Sequence, residues 1–336
     1  LTWTPDGQHL LFSSNRGGTY GLWRIPVAGG EPQPVALSAI GNLREPSLRG
    51  EMLAYTESYI DVNIWQYNLR DTASAPTPWM ASTRWDADPQ FAPDGQRIAF
   101  ASSRSGHAEI WVADRAESNA LQLTSFEGPH TGHPRWSPKG EHLAFDSRDA
   151  GNADIYLIGA RGGVPRRLTT DPANDLLPSW SSDGAWVYFA SNRSGTWQVW
   201  KIPAMGGEAV PVTHHGGYAA FESPEGLLVY YSRRDTSGLW HVSPDSKEET
   251  LVIDSLDAND WGHWGVTTRG LYFPYASSNT LHRYDFATRQ STPIKSLVHR
   301  PSWQQAGIAV DPHGTRLLVT QTDRSYYDIV ITAYKP

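Results

Sequence analysis

The sequence predicts an all-β fold, an eight-bladed β-propeller of four-stranded antiparallel blades, on three observations. One unit recurs: "LTWTPDGQHLLF" at 1–12 returns as "PQFAPDGQRIAF" at 89–100, "PRWSPKGEHLAF" at 134–145 and "PSWSSDGAWVYF" at 178–189. Its turn glycines, Gly7, Gly50, Gly95, Gly140, Gly184, Gly226, Gly270 and Gly314, follow one another at 42 to 45 residues. Within each unit, short apolar runs alternate with turns, and no sustained helical period of apolar residues occurs.

The elements of a unit follow in order. A first strand carries an aromatic on or beside it (Trp3, Phe91, Trp136, Trp180, Phe221, Trp264) and ends in Asp-Gly, Lys-Gly or Glu-Gly. These pairs mark tight hairpins, because Gly accepts a positive φ. The second strand reads "HLLFSS", "RIAFAS", "HLAFDS", "WVYFAS" or "LLVYYS". A second turn follows, rich in Ser, Arg, Asn and Gly ("SNRGG", "SRSGH", "RDAGN", "NRSGT"). The third strand bears Trp23, Trp65, Trp111, Tyr156, Trp200 or Trp240, and a short fourth strand ("LQLT", "RRLT", "VPVT") closes the unit. The recurring aromatics are expected to fill the wedges between blades. Arg16, Arg104, Arg148, Arg193, Arg233 and Arg324 recur after the second strand; each is expected to bond a carboxylate or backbone group of its own hairpin. The blades are placed at 1–38, 43–81, 88–125, 133–170, 177–213, 219–254, 262–297 and 303–335, a single propeller domain over 1–336. The last blade lacks its outer strand within this chain, which leads to the expectation that the chain is a fragment of a longer protein.

Composition bounds the function. The net charge of −7 offers no basic footprint for nucleic acid. No apolar run is long enough to span a membrane, and no signal-peptide pattern opens the sequence. With no Cys, disulfide and thiol chemistry are excluded. There is no G-x-S-x-G elbow, P-loop, dinucleotide fingerprint or zinc-protease His-Glu pair, so the chain is read as not an enzyme.

The unit P-x-W-S-P-x-G-x-x-L-A-F-x-S-R-x-x-G-x-x-D-I-Y at 134–156 resembles the TolB-like, WD-type β-propeller repeat. That resemblance covers nearly the whole chain and implies the propeller fold. Such propellers serve as periplasmic scaffolds, peptidase gating domains and sensor modules. The C-terminal run "GIAVDPHGTRLLVTQTDRSYYDIVIT" resembles the last blade of CadC-type membrane-anchored winged-helix transcriptional regulators, with similar blades in some receptor-like Ser/Thr kinases. The resemblance implies an extracytoplasmic sensor or interaction domain, periplasmic and tethered by an upstream span. Its expected partner is a protein, peptide or small polar ligand. The alternatives are a free periplasmic TolB-like scaffold, and a polysaccharide lyase or hydrolase working inside the channel, as in oligogalacturonate lyases, whose propeller units look similar.

Function in a propeller sits where the loops joining successive blades converge on the channel mouth. Those loops point to Arg44, Trp85, Asp86, Asp88, His130, His133, Asp175, His214, His215, Tyr218, Asp260, Trp261, His263, His299 and Arg300 as ligand-binding candidates, with no catalytic residue assigned. Three readings of this acidic, His-rich set stay open. It could bind a metal, Ca²⁺ or a transition ion, through His130, His133, Asp86 and Asp88. It could sense pH through clustered imidazoles. Or it could line a solvated channel with no cofactor. An acidic mouth favours cationic or metal-bridged ligands.

Overall fold

The first hairpin of each repeat forms where its glycine allows it, as at Gly95 (φ 64°) and Gly140 (φ 69°). The computed structural model describes the chain except residues 18, 38–40, 72, 81, 83, 115–119, 129, 244–246, 276–278, 303–305 and 335–336. A 3-10 turn at Ala258–Asp260 is the only helical segment among the described residues. All else that is regular is strand, in antiparallel sheets that are mostly four-stranded.

The chain divides into two compact units. The second, Val62–Phe126 with His130–Thr322, contains five complete blades. Their innermost strands are Asp86–Phe91, Thr131–Trp136, Asp175–Trp180, Ala220–Glu222 and Gly265–Thr267. A sixth sheet is composite. It joins Ile308–Val310 and residues 316–322 from the end of the chain to residues 62–68 and Thr77–Met80 from its beginning. Tyr67 Oη donates to Gln321 Oε1 at 2.7 Å across this join, and Leu69 N–H donates to Thr315 O at 2.9 Å.

Each sheet of this unit packs on the next through an apolar cluster, and the composite sheet packs on both neighbours. Ile64, Trp79 and Leu318 meet Phe91, Ile98 and Phe100 on one side; Tyr67, Ile308 and Leu317 meet Tyr272 and Leu281 on the other. The unit is therefore a closed ring of six sheets. The wedge aromatics behave as expected at Phe91, Trp136, Tyr156, Trp240 and Trp264, all buried, whereas Trp3 is 54% exposed.

The first unit, Leu1–Asp61 with Glu127–Pro129 and Asp323–Pro336, holds the sheet Thr2–Trp3, His9–Gly17, Thr19–Pro26, Gln33–Pro34. It also holds Asn42–Arg49 paired with residues 52–58. Leu11, Leu22, Leu43, Leu53, Tyr55 and Tyr334 form its core. Tyr334 N–H donates to Glu51 O at 2.7 Å, and Tyr59 stacks on Tyr326 with ring centroids 5.5 Å apart.

The eight sequence repeats thus occupy seven sheets. The segments read as separate blades at 43–81 and 303–335 share one, because Met52–Asn68 and Arg316–Ala333 are each one continuous strand where a second hairpin was expected. The local sequence explains it. Turned copies place a left-handed residue there, such as Gly106 (φ 106°), Gly151 (φ 105°), Gly195 (φ 91°), Gly238 (φ 120°) or Asn279 (φ 49°). The two straight copies carry Tyr59-Ile60-Asp61 and Arg324-Ser325-Tyr326-Tyr327 instead. With no Gly or Asn and strong β-formers in their place, these segments favour continued strand.

Candidate functional site

The axis of the second unit is shaped by a repeated bulge. Asp88, His133 and Leu177 each precede a proline (Pro89, Pro134, Pro178) and take φ of 54°, 53° and 56°. The ladder to the second strand shifts register at each of these positions. Proline has no N–H to lose from the ladder, so the extra residue is tolerated there and the preceding side chain is re-aimed.

The re-aimed groups meet one another. Asp88 accepts from His133 N–H at 3.2 Å and from Ala306 N–H at 3.1 Å, joining two blades and the segment before the strand Ile308–Val310. Asp146, on the strand His142–Ser147, accepts from Leu177 N–H at 3.0 Å and pairs with His133 Nδ1 at 2.7 Å. His133 Nε2 stands 3.8 Å from Asp88 Oδ2. Both carboxylates are fully buried and the imidazole is 8% exposed. Burial on its own pushes the His133 pKa down, but Asp146 and Asp88 together outweigh it and raise the pKa above the ordinary value. Asp146 is held below the usual carboxylate range, its burial outweighed by the His133 charge and hydrogen bond. The two carboxylates thus favour the charged form of His133. Arg135, two residues on, is also buried, and burial lowers its pKa to about 10 against the pull of Asp88 and Asp146.

Above this layer opens a cavity of about 470 Å³, lined by His130, His133, Arg148, Tyr218, Arg234 and Trp261 among others. Tyr218 is clamped edge-on between Trp197 and Trp261, at centroid distances of 5.1 and 4.8 Å. The Arg234 guanidinium lies 5.6 Å from the Tyr218 ring. His130 packs edge-on against Trp85 at 5.7 Å, and burial together with the His133 charge lowers its pKa.

Of the predicted site residues, Asp88, His130, His133, Tyr218 and Trp261 come together here, with Trp85 behind them. Asp86 and Asp175 do not: each is buried in its own blade and paired, to Arg104 at 2.8 Å and to Arg193 at 2.8 Å. Those carboxylate pairs are what the hairpin reading expected, and the arginines also lie over the blade aromatics, Phe100 and Trp111 or Phe189 and Trp200. His263 is fully buried beside Asp260, Nδ1 to Oδ1 at 3.7 Å. Burial lowers His263 to about 4 and raises Asp260 to about 6. His214 and His215 are exposed, their N–H groups donating to Glu249. His299 packs edge-on against Trp65 at 5.2 Å, and Arg300 is exposed. Arg44 belongs to the first unit, where its guanidinium sits 3.9 Å from the Tyr20 ring.

Asp86 is therefore withdrawn from the metal-ligand set. Among the described residues no three His, Asp or Glu side chains are disposed to hold a metal ion. The mouth is also less acidic than expected, because its acids are spent: Asp86 and Asp175 on arginines, Asp88 and Asp146 on backbone N–H groups and His133. Arg148, Arg234 and Asp235 line the cavity in their place.

Sequence reasoning missed Asp146, Arg135, Arg234 and Asp235 as site residues and placed Arg148 with the hairpin arginines. A signal for two of them existed. Asp146 stands where sister strands have alanine, Phe100-Ala101-Ser102 and Phe189-Ala190-Ser191 against Phe145-Asp146-Ser147. In the same blade Thr131 occupies the register position of Asp86 and Asp175, opposite Ser147. Asp149, whose N–H bonds Ser147 as Arg104 and Arg193 N–H bond Ser102 and Ser191, replaces the arginine. Arg148 lies one place earlier, outside that pairing, and lines the cavity.

Comparisons with known proteins agree with this architecture. The family described as TolB beta propeller domain (PD40) matches residues 76–305. The Tol-Pal system protein TolB of Bordetella pertussis is 43% identical over 122 residues, which are 36% of this chain and 28% of the relative. The chain thus spans less than a third of that curated relative. The crystal structure of TolB from Acinetobacter baumannii superposes with a TM-score of 0.54 at 13% identity, covering 95% of this chain and 81% of that one. A Mycobacterium tuberculosis puromycin-hydrolyzing peptidase gives a TM-score of 0.51 at 14% identity, covering 88% of this chain and 53% of the other. At such identities the structural likeness carries the fold alone.

Proposed function

Because the chain belongs to the TolB β-propeller family, we propose that it is a non-catalytic, protein-binding propeller of the bacterial periplasm. Its partner seats on the mouth of the six-sheet ring. The cavity of about 470 Å³ carries this reading. Rigid aromatics, Tyr218 and Trp261, stand beside charges of both signs, Arg148, Arg234 and Asp235, a composition suited to anchoring a protein partner. The chemistry at the axis supports binding over catalysis. His133 Nδ1 is committed to Asp146, Nε2 stands 3.8 Å from Asp88, and the two carboxylates raise its pKa, which favours a structural imidazole over a free general base.

A photo-crosslinking side chain placed at Asn259, on the cavity wall, tests the site in cells. A discrete adduct with one envelope protein is expected, lost when Trp261→Ala and Arg234→Ala are added. Crosslinking that ignores those substitutions would remove the mouth from the interaction. Turnover of uronate oligomers that vanishes in His133→Ala would overturn the non-catalytic reading in favour of a channel lyase.

As a finer reading, the module is the sensor domain of a transmembrane transcriptional regulator, supported by the likeness of residues 307–332 to the last blade of such regulators. The coding region upstream of Leu1 decides it. A winged-helix segment followed by one apolar span supports the sensor; a cleavable signal peptide alone returns the chain to a free scaffold.

A further inference from the structure

The axis of the second unit holds another cavity, at the opposite ends of the inner strands from the mouth. It measures about 320 Å³ and is walled by Phe91, Trp136, Phe221 and Trp264, with Arg135 and Ser179 among its polar lining. Both polar residues are deeply buried, at 5% and 4% exposure. The Arg135 guanidinium lies 5.0 Å from the Phe221 centroid, so it reaches to an aromatic wall that faces the same space. Its only hydrogen bond among the described residues is from Nη1 to Pro134 O, at 3.2 Å. The nearby carboxylates act on the Arg135 charge but hydrogen-bond elsewhere, Asp88 to the N–H groups of His133 and Ala306, and Asp146 through Oδ2 to His133 and Leu177, while Asp146 Oδ1 is buried with no hydrogen-bond partner. Ser179 Oγ is buried with no hydrogen-bond partner.

A guanidinium 5% exposed, with a single side-chain hydrogen bond among the described residues, favours an anion in the space it borders, and a buried hydroxyl beside it adds a further donor. The rest of the lining limits what that anion can be. Glu222 also borders the cavity, its carboxylate fixed by Ser182 N–H and Tyr188 Oη, so a second negative charge on the ligand is disfavoured. The aromatic walls fit a flat apolar body.

We propose that this cavity binds a small aryl monocarboxylic acid. The carboxylate accepts from Arg135 and from Ser179 Oγ, and the ring lies against Trp136, Phe221 and Trp264. This site is separate from the mouth, and it stands or falls independently of the protein-binding reading.

Titration calorimetry of the whole chain with phenylacetate, phenylacetamide and benzylamine tests it. Phenylacetate should bind with a Kd of about 0.1–1 mM, while the amide and the amine should bind at least about tenfold more weakly. Arg135→Met, which keeps the length and removes the charge, should weaken phenylacetate about ten- to a hundredfold. Ser179→Ala, too small a change to threaten folding, should weaken it about three- to tenfold. Four results overturn the proposal: no phenylacetate binding up to about 10 mM, an amide that binds as well as the acid, an affinity untouched by Ser179→Ala, or the peptide Gly-Gly-Phe binding more tightly than phenylacetate. The last would assign the cavity to a chain end.

Discussion

The imidazole of His133 answers to two carboxylates at once, and its protonation is part of the fold. Its pKa is raised, so the stability it contributes is fully present below the ordinary histidine value of 6.5 and is lost as pH rises through its own higher value. Asp146 runs the other way: its contribution is present above 3.8 and fades as pH falls through its depressed value. An NMR titration should therefore place the His133 ring above 6.5. His133→Ala, leaving two buried carboxylates without their cation, should cost about 3–5 kcal/mol in chemical denaturation. A loss below about 1 kcal/mol would mean that the pair contributes no more than an exposed one. His263 has the opposite sign. Held neutral with a pKa of about 4, it withdraws stability as pH falls from 6.5 towards that value, on the order of 3 kcal/mol in all. His263→Gln should flatten that acid limb. At this scale the sequence was half legible. Asp88 and His133 stood out as polar residues between repeats, although they lie on strands as bulge residues rather than in loops. Asp146 and Arg135 were hidden, because a charged residue within a strand pattern reads as solvent-facing until the sheet shows which side is buried.

At the scale of the strand, the repeats predicted nearly every hairpin because each needs a residue that tolerates positive φ, and Gly and Asn are visible in a sequence. The exceptions follow the same rule in reverse. Tyr59-Ile60-Asp61 and Arg324-Ser325-Tyr326-Tyr327 offer no such residue, and the strands run on. What the sequence alone left open was the consequence: a hairpin that fails to turn must find another partner, and that partner lies far along the chain. Replacing Ile60 and Asp61 by Asn and Gly supplies the favoured two-residue turn. Hydrogen exchange should then rise at least about tenfold across residues 323–333 as residues 52–58 change partners. Unchanged protection would mean that packing around Tyr59 and Tyr326, not turn chemistry, keeps the strand straight.

At the scale of the whole molecule, the two units differ in what holds them. The ring of the second unit is sealed by six sheet-to-sheet interfaces and a layer of buried charge on its axis, whereas the first unit rests on one modest core. Denaturant unfolding followed by site-specific exchange should show the first unit opening at lower urea. A single transition for both would make them one cooperative body. Deleting residues 301–336 removes the C-terminal strands of the composite sheet, and the remaining chain should be degraded rapidly by trypsin where the intact chain resists. A resistant fragment would mean that the ring holds without its sixth sheet.

The composite sheet also sets a timetable. Tyr67 and Gln321 meet across 254 residues of chain. Closing so long a loop costs roughly 5 kcal/mol in its length-dependent part, before any of the ring's contacts repay it. Contacts this distant in sequence make for slow folding. A ribosome must also make every residue from 62 to 322 before the two halves of the sheet can meet. Until that moment the nascent propeller is an open arc with both end blades uncovered, and it remains a substrate for any chaperone or translocation machinery that requires an unfinished fold.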